Sequence, residues 1–100
     1  MEKNRRLIWD EQALIEVERS LEWIGKTSLH QTELVEQAIL SRIELIRVHP
    51  ERFPPDKYKI NNQGSYRAFE THSYRISYYH TENEVRILRC RHVKQRPKKY

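Results

Sequence analysis

Three short segments in the second half of the chain consist largely of residues that favour β-strands. They read SYRAFET at residues 65–71, YRISYYH at residues 74–80 and EVRILRCRH at residues 84–92. Tyr, Ile, Val and Phe are enriched in strands, and the short links at His72-Ser73 and Glu82-Asn83 favour hairpins. The sequence therefore predicts a three-stranded antiparallel meander, one face of which the rest of the chain must cover.

The first half of the chain predicts one strand followed by a hairpin of two helices. Residues 5–9, RRLIW, are bulky and β-prone, and Asp10 follows at the position of a helix N-cap. We expect the first helix to end at Gly25, and the second to begin at a cap on Thr32 and to end before Pro50. Residues at helical spacing form one stripe on each helix: Leu14, Val17, Leu21 and Ile24 in the first, and Val35, Ala38, Ile39, Arg42, Ile43 and Ile46 in the second.

These elements predict a single α+β domain over residues 1–100. It comprises an N-terminal strand, a helical hairpin and a three-stranded antiparallel meander, with the helices packed on one face of the sheet. The connection HPERFPPDKYKINNQG at residues 49–64 holds three prolines, so it cannot form one regular element. Long irregular loops tend to carry function, and this one brings Lys57 and Lys59 to the edge of the meander.

The alternation of side chains along each strand predicts which residues lie on the face that the helices leave open. In the middle strand, Tyr74, Ile76 and Tyr78 suit the covered face, which leaves Arg75 on the open face. We expect Arg67, in the preceding strand, to project from the same open face. The last strand is ambiguous, because two apolar pairs compete for the core: Val85 with Ile87, and Leu88 with Cys90.

The charge of the chain is unevenly distributed. Residues 1–50 carry 7 Lys and Arg against 9 Asp and Glu, a net −2, whereas residues 51–100 carry 12 against 5, a net +7. A basic half of this kind is typical of a surface that meets phosphates or an acidic protein. A solvated cationic face is the alternative.

Several classes of protein do not fit the sequence. It has no apolar run of about 20 residues that could cross a bilayer, and its N-terminus lacks the pattern of a signal peptide. The single cysteine, Cys90, cannot form an intrachain disulfide, and no Cys/His spacing resembles a zinc site. We therefore expect a cytoplasmic protein with no metal, no cofactor and no membrane partner.

Four stretches of the chain together resemble the RelE/ParE superfamily of bacterial toxins from type II toxin–antitoxin modules. They are IWDEQAL, HPERFP, SYRAFETHSYRISYYHTENEVRIL and RHVKQRPKKY, which span most of the sequence. The resemblance implies that the open face of the sheet is the working face and that a cognate antitoxin binds the toxin. RelE-like members cleave mRNA on the ribosome, whereas ParE-like members inhibit DNA gyrase and have no nuclease activity.

The resemblance to RelE-like nucleases also implies site residues. A lysine pair, the arginine of a Tyr-Arg strand, a basic or histidine position after the last strand and a late tyrosine correspond to Lys57 and Lys59, Arg75, His92 or Lys94, and Tyr100. Arg67 and Arg91 are further cations predicted to lie nearby. We expect Arg75 and Arg67 to clamp phosphate, His92 to act as acid or base, and Tyr100 to stack on a base or share in proton transfer.

The leading interpretation of the sequence is a metal-independent endoribonuclease that cleaves mRNA on the ribosome. The alternatives are a ParE-like inhibitor of DNA gyrase without enzymatic activity, and a toxin that retains only antitoxin binding. No carboxylate clearly matches the general base that some related nucleases use, and this gap favours the gyrase alternative.

Overall fold

Two helices cover one face of a four-stranded sheet in the computed structural model, which describes residues 4–100. The strands are β1 (Arg6–Trp9), β2 (Tyr66–Thr71), β3 (Tyr74–His80) and β4 (Glu84–His92). The helices are α1 (Glu11–Gly25) and α2 (Leu29–Val48), and a short 3-10 helix, Pro50–Arg52, follows α2. The predicted α+β class and element order are confirmed.

The sheet has the strand order β1-β4-β3-β2. β1 runs parallel to β4, and the two pairs of the meander are antiparallel. A parallel pair needs a long crossover, and the helical hairpin supplies it between β1 and the meander. As a result, β4 lies inside the sheet with β3, and β2 forms one edge.

The β2–β3 hairpin turns through two residues with positive φ, His72 at 49° and Ser73 at 69°. Positive φ at both central residues is the type I′ geometry, whose twist matches that of the paired strands. The turn places Thr71 opposite Tyr74 and so sets the register of the whole pair. The predicted link at His72-Ser73 is confirmed.

The helix ends agree with the prediction except at one cap. α1 follows Asp10 and ends at Gly25. α2 begins after Ser28, whose Oγ accepts a hydrogen bond from the Gln31 N–H at 3.1 Å. The predicted cap at Thr32 is wrong, because Thr32 lies in the first turn and its hydroxyl donates to the Ser28 carbonyl.

The hydrophobic core lies between the helices and the face of the sheet that carries Tyr78. Tyr78 is fully buried, and its hydroxyl donates to the Pro50 carbonyl at 2.6 Å. In α1 the buried residues are Ala13 and Val17, whereas Leu14 is exposed, so its place in the predicted apolar stripe is wrong. The predicted stripe of α2 is confirmed at four buried positions: Val35, Ile39, Ile43 and Ile46.

Within residues 4–100, no helix is long and apolar enough to cross a membrane.

A β-bulge in β4 resolves the ambiguity of that strand. The pairing partners step from Ser77–Arg89 to Tyr78–Ile87, so that Leu88 has no partner in β3. An extra residue in one strand shifts its alternation by one position. Both Ile87 and Cys90 therefore reach the core, and the arginines beyond the bulge lie on the opposite face.

Candidate functional site

The face of the sheet that the helices leave uncovered, called here the open face, carries a cleft of about 700 Å³. Its floor includes Ser77 of β3 and Arg91 of β4, and its walls come from two other parts of the chain. The loop after α2 contributes Asp56 and Tyr58, and the C-terminal segment 97–100 crosses the rim. The cleft thus combines the irregular loop, the meander and the basic end of the chain, as the sequence predicts.

Asp56 is the centre of a hydrogen-bonded cluster in this cleft. The residue is 3% exposed, and its carboxylate accepts three hydrogen bonds. Donors are the Arg75 guanidinium at 2.8 Å, the Tyr100 hydroxyl at 2.7 Å and the Tyr58 backbone N–H at 3.0 Å. One carboxylate therefore joins the loop, β3 and the C-terminal segment.

The Arg75 guanidinium contacts the side chains of three residues. Besides its ion pair with Asp56, it donates to the Glu70 carboxylate at 3.0 Å, and its guanidinium lies 5.0 Å from the centroid of the Tyr58 ring. Two carboxylates and an aromatic face fix its orientation. The guanidinium charge is therefore largely compensated within the protein.

The protonation states of this cluster are fixed at neutral pH. Burial alone would raise the pKa of Asp56, but the hydrogen bonds from Tyr100, Arg75 and the Tyr58 N–H outweigh it and hold that pKa below its usual value. Burial, together with the hydrogen bond to the Asp56 carboxylate, raises the pKa of the Tyr100 hydroxyl. Asp56 is therefore ionised and Tyr100 is protonated, and the two do not exchange a proton near neutrality.

Tyr100 is fixed by its backbone as well as by its hydroxyl. Its N–H donates to the Tyr58 carbonyl at 2.9 Å, and its carbonyl accepts from the Ile60 N–H and from the Lys59 ammonium. Lys59 also lies over the rings of Tyr66 and Tyr100, 4.8 and 5.2 Å from their centroids. The predicted residues Lys59, Arg75 and Tyr100 are thus brought together at one end of the cleft.

The cleft also carries positive charge that the described residues do not neutralise. Arg91 lies directly opposite Arg75 in the β3–β4 pair, and Lys98 and Lys99 line the rim. Within residues 4–100, none of Arg91, Lys98 and Lys99 forms an ion pair with a carboxylate, whereas the neighbouring Arg89 pairs with Glu16 at 2.8 Å. These three cations are available to an external anionic group.

Arg67 lies on the wrong face for the predicted phosphate clamp. It stands opposite Tyr78 in the β2–β3 register, on the face that packs against the helices. Its guanidinium donates to the carbonyls of Phe53 and Gly64, each at 2.8 Å. The prediction that Arg67 and Arg75 share the open face is wrong, because Arg67 has the same parity as the buried Phe69.

His92 and Lys94 also lie outside the cleft. His92 stands opposite Tyr74 on the helix-facing side, and the two rings meet edge to face with centroids 5.3 Å apart. The Lys94 N–H donates to His92 Nδ1 at 3.1 Å, which keeps the two residues side by side. Lys57 is exposed, with its ammonium 5.2 Å from the centroid of the Tyr58 ring, and it does not line the cleft.

No histidine among the described residues lines the cleft. His80 ends β3 on the helix-facing side, and its Nε2 lies 3.1 Å from the Gly64 carbonyl. Burial lowers the pKa of His80, so the neutral form predominates near neutrality. Among residues 4–100, no three His, Cys, Asp or Glu side chains are close enough to hold a metal ion.

Asp56 and its neighbour Tyr58 were not among the predicted site residues. One signal in the sequence points to Asp56, because it follows Pro55 directly and Asp often forms turns. In the structure its carboxylate accepts a hydrogen bond from the N–H two residues on, as in an Asx-turn. Asp56 is also one of only five acidic residues in the basic second half. An isolated acid among cations and prolines is therefore a pattern worth searching for in such loops.

The comparisons with known proteins agree with this fold. A family model described as the ParE toxin of the type II toxin–antitoxin system parDE matches residues 7–97. The match includes both helices and all three strands of the meander. No curated protein is similar enough to count as a match.

Proposed function

The chain belongs to the family of ParE toxins of type II toxin–antitoxin systems, and we propose that it inhibits DNA gyrase by binding to it, without cleaving RNA. Membership of this family implies a cognate antitoxin. The finer choice, between gyrase and ribosome-bound mRNA as the target, depends on the chemistry that the open face can support. The single observation that carries the proposal is that no histidine among the described residues lines the cleft, while its buried carboxylate, Asp56, is fully engaged by three hydrogen-bond donors.

RNA cleavage without a metal needs more than cations. A base must remove the proton of the ribose 2′-OH, an acid must protonate the leaving oxygen, and their pKa values must lie near the operating pH. In the cleft, Asp56 is engaged by three donors and Tyr100 has a raised pKa. Because His92 lies on the opposite side of the sheet, the part of the cleft formed by residues 4–100 can stabilise charge but offers no histidine for acid–base catalysis.

The same surface is well suited to binding a protein. Arginine and tyrosine are enriched among residues that dominate interface energies, and the lining of the cleft includes Tyr58, Tyr66 and Arg91. Arg91, Lys98 and Lys99 have no carboxylate partner within residues 4–100, so they can steer and pair with an acidic target surface. Their charges also suit an acidic segment of the antitoxin, which would then compete with the target for the open face.

Endoribonuclease activity on ribosome-bound mRNA is the second candidate function. One observation favours it, since Arg75, Arg91 and Tyr100 share one cleft and could bind phosphate and base there. The ribosome would then have to supply the group that transfers the proton. This reading makes different predictions for the fate of cellular mRNA.

Two measurements separate these functions: a supercoiling assay with the purified protein and purified gyrase, and primer extension on mRNA from cells that express the protein. We expect the toxin to inhibit supercoiling by purified gyrase, and primer extension after brief induction to show intact mRNA. Arg91→Ala should weaken gyrase inhibition by about tenfold, the equivalent of about 1.4 kcal/mol for one interface residue. Arg52→Ala, which removes an exposed arginine that does not line the cleft, is the matched control and should leave inhibition unchanged.

Cuts inside translated reading frames, together with normal supercoiling, would overturn the gyrase proposal in favour of the ribonuclease. Neither effect, despite a folded toxin that still binds its antitoxin, would indicate a toxin that retains only antitoxin binding. Equal loss of inhibition by Arg91→Ala and Arg52→Ala would show that the cleft is not the binding surface.

A further inference from the structure

A second surface with aromatic and basic residues lies between α1 and the end of β4, and it shares no residue with the cleft. This shallow groove has a volume of about 390 Å³ and is called here the α1–β4 groove. We propose that it binds single-stranded nucleic acid, with one base stacked on Trp23 and the adjacent phosphate held by Arg19 and Lys94. The lining residues used below are Arg19, Trp23, Tyr74, His92, Lys94 and Gln95.

Trp23 offers an unusually accessible aromatic surface. Its residue is 70% exposed although it is the largest apolar side chain of α1. The Lys26 ammonium lies 5.5 Å from the ring centroid, which leaves the remainder of the indole open to solvent. Stacking of one base on such a ring does not depend on base identity.

His92 is held rigidly at the floor of the groove. Its ring packs edge to face on Tyr74, and its backbone N–H donates to the Gln95 side chain at 2.9 Å. His92 Nδ1 accepts the Lys94 N–H at 3.1 Å, so a neutral His92 carries its proton on Nε2. That N–H has no acceptor within residues 4–100 and can donate to a phosphate or base oxygen.

The two cations of the groove are equally uncommitted. Within residues 4–100, neither Arg19 nor Lys94 forms an ion pair with a carboxylate. An arginine fork and an ammonium group are the donors that bind phosphate oxygens in proteins. Arg19 lies one helical turn before Trp23, so a phosphate at Arg19 is within reach of a base stacked on the indole.

A nucleotide fits this groove better than an acidic peptide does. A peptide carboxylate would use the cations but would leave the indole face unused, and an apolar anchor residue would need an apolar pocket. Apart from its aromatic rings and cations, the groove is lined by Ser20 and Gln95 and by no aliphatic side chain of the described residues. A nucleotide supplies both a π-face and a phosphate, which are the two features that the groove offers.

Fluorescence anisotropy with a labelled hexa-adenylate at low salt tests the proposal. We expect the wild-type protein to bind and Trp23→Ala to weaken binding by between about 5-fold and 100-fold, as expected for the loss of one stacked base. Trp23→Phe, which keeps an aromatic face, should retain most of the affinity. The double variant Arg19→Ala/Lys94→Ala should reduce the slope of log affinity against log salt concentration by the equivalent of about two phosphate contacts.

The matched control is Lys98→Ala/Lys99→Ala, which removes the same charge from the rim of the cleft. It should change the affinity far less than Arg19→Ala/Lys94→Ala does. Equal weakening by the two double variants, no effect of Trp23→Ala, or no binding by the wild-type protein would overturn the proposal. Displacement of the hexa-adenylate by a poly-glutamate peptide at the same charge concentration would instead indicate an acidic protein partner.

This inference goes beyond the gyrase proposal and fails separately from it. Trp23→Ala lies outside the cleft and should leave gyrase inhibition unchanged. Arg91→Ala, in turn, should leave hexa-adenylate binding close to that of the wild-type protein.

Discussion

Two carboxylates hold arginines on the open face, and the two pairs differ in what they connect. Asp56 binds Arg75 of β3 at 2.8 Å, and Glu16 binds Arg89 of β4 through two contacts of 3.0 and 2.8 Å. Glu16 also accepts the Cys90 N–H at 3.0 Å, so it fastens α1 to β4 beyond the bulge. Asp56 instead joins three segments: the loop after α2, β3 and the C-terminal segment.

Burial distinguishes the two pairs energetically. The side chains of Asp56 and Arg75 are 2% and 20% exposed, whereas those of Glu16 and Arg89 are 16% and 40% exposed. A charge left without its partner is more costly where solvent cannot replace that partner. Because of this difference in burial, the pair Asp56–Arg75, and not the better aligned bidentate pair Glu16–Arg89, should be the more sensitive to substitution.

Asp56→Ala should have the largest effect of any substitution in these two clusters. It leaves Arg75, Tyr100 and the Tyr58 N–H without their shared acceptor, and we expect the free energy of unfolding to fall by about 3 kcal/mol. Urea denaturation at pH 7 measures the change. A loss of less than about 1 kcal/mol would show that Glu70 and solvent compensate Arg75 for its lost partner, and that burial does not set the order of the two pairs.

Glu16→Ala should cost less, about 1–2 kcal/mol, because Arg89 is partly exposed and can be solvated. The same urea titration measures it, and Glu18→Ala on the exposed side of α1 is the control, with an expected change within about 0.5 kcal/mol. A loss that exceeds the loss caused by Asp56→Ala would reverse the proposed order of the two pairs.

Acid should weaken both pairs. Burial would raise the pKa of Glu16, but the hydrogen bonds from Arg89 and the Cys90 N–H outweigh burial, so this pKa is lowered, as is that of Asp56. A carboxyl with a lowered folded-state pKa binds more protons when unfolded, so its stabilisation is present above about pH 4 and is lost below it.

The stability of the wild-type protein, measured by urea denaturation between pH 7 and pH 3, should therefore fall more steeply than that of Asp56→Asn or Glu16→Gln. The additional free energy of unfolding that the wild-type protein loses between pH 7 and pH 3 should be smaller than the loss caused by either alanine substitution at pH 7. Identical profiles for the wild-type protein and Asp56→Asn would show that Asp56 titrates as in the unfolded chain.

The fold could be predicted from the sequence because its signals are local. The type I′ turn at His72-Ser73, the end of α1 at Gly25 and the four buried positions of α2 each follow from a few neighbouring residues. The cap at Thr32 was misplaced because Ser28 offers the same chemistry one turn earlier. Local signals of this kind locate elements to within about a turn.

The site could be predicted only in part because it depends on register and on long-range contacts. Arg75, Lys59 and Tyr100 were identified, but the parity of Arg67 required recognising Phe69 as a core residue. The position of His92 follows from the register beyond the bulge at Leu88, and the pattern of β4 alone could not reveal that bulge. Asp56 acquires its role only when Tyr100, 44 residues away, folds back onto it.

Tyr100→Phe should have the smallest effect and should show how Asp56 holds the C-terminal segment. The substitution removes one of the three hydrogen bonds to Asp56 but keeps the ring on Tyr66 and the backbone contacts with Tyr58 and Ile60. We expect a loss of about 0.5–1 kcal/mol in urea denaturation, since a partly exposed neutral donor contributes little net stability. Hydrogen exchange provides the second readout, and the Ile60 N–H, which donates to the Tyr100 carbonyl, should exchange only slightly faster than in the wild-type protein. If the Ile60 amide loses its protection from exchange in Tyr100→Phe, the hydroxyl and not the backbone fixes the C-terminal segment across the cleft. Asp56, which binds that hydroxyl, would then control access to the open face as well as stability.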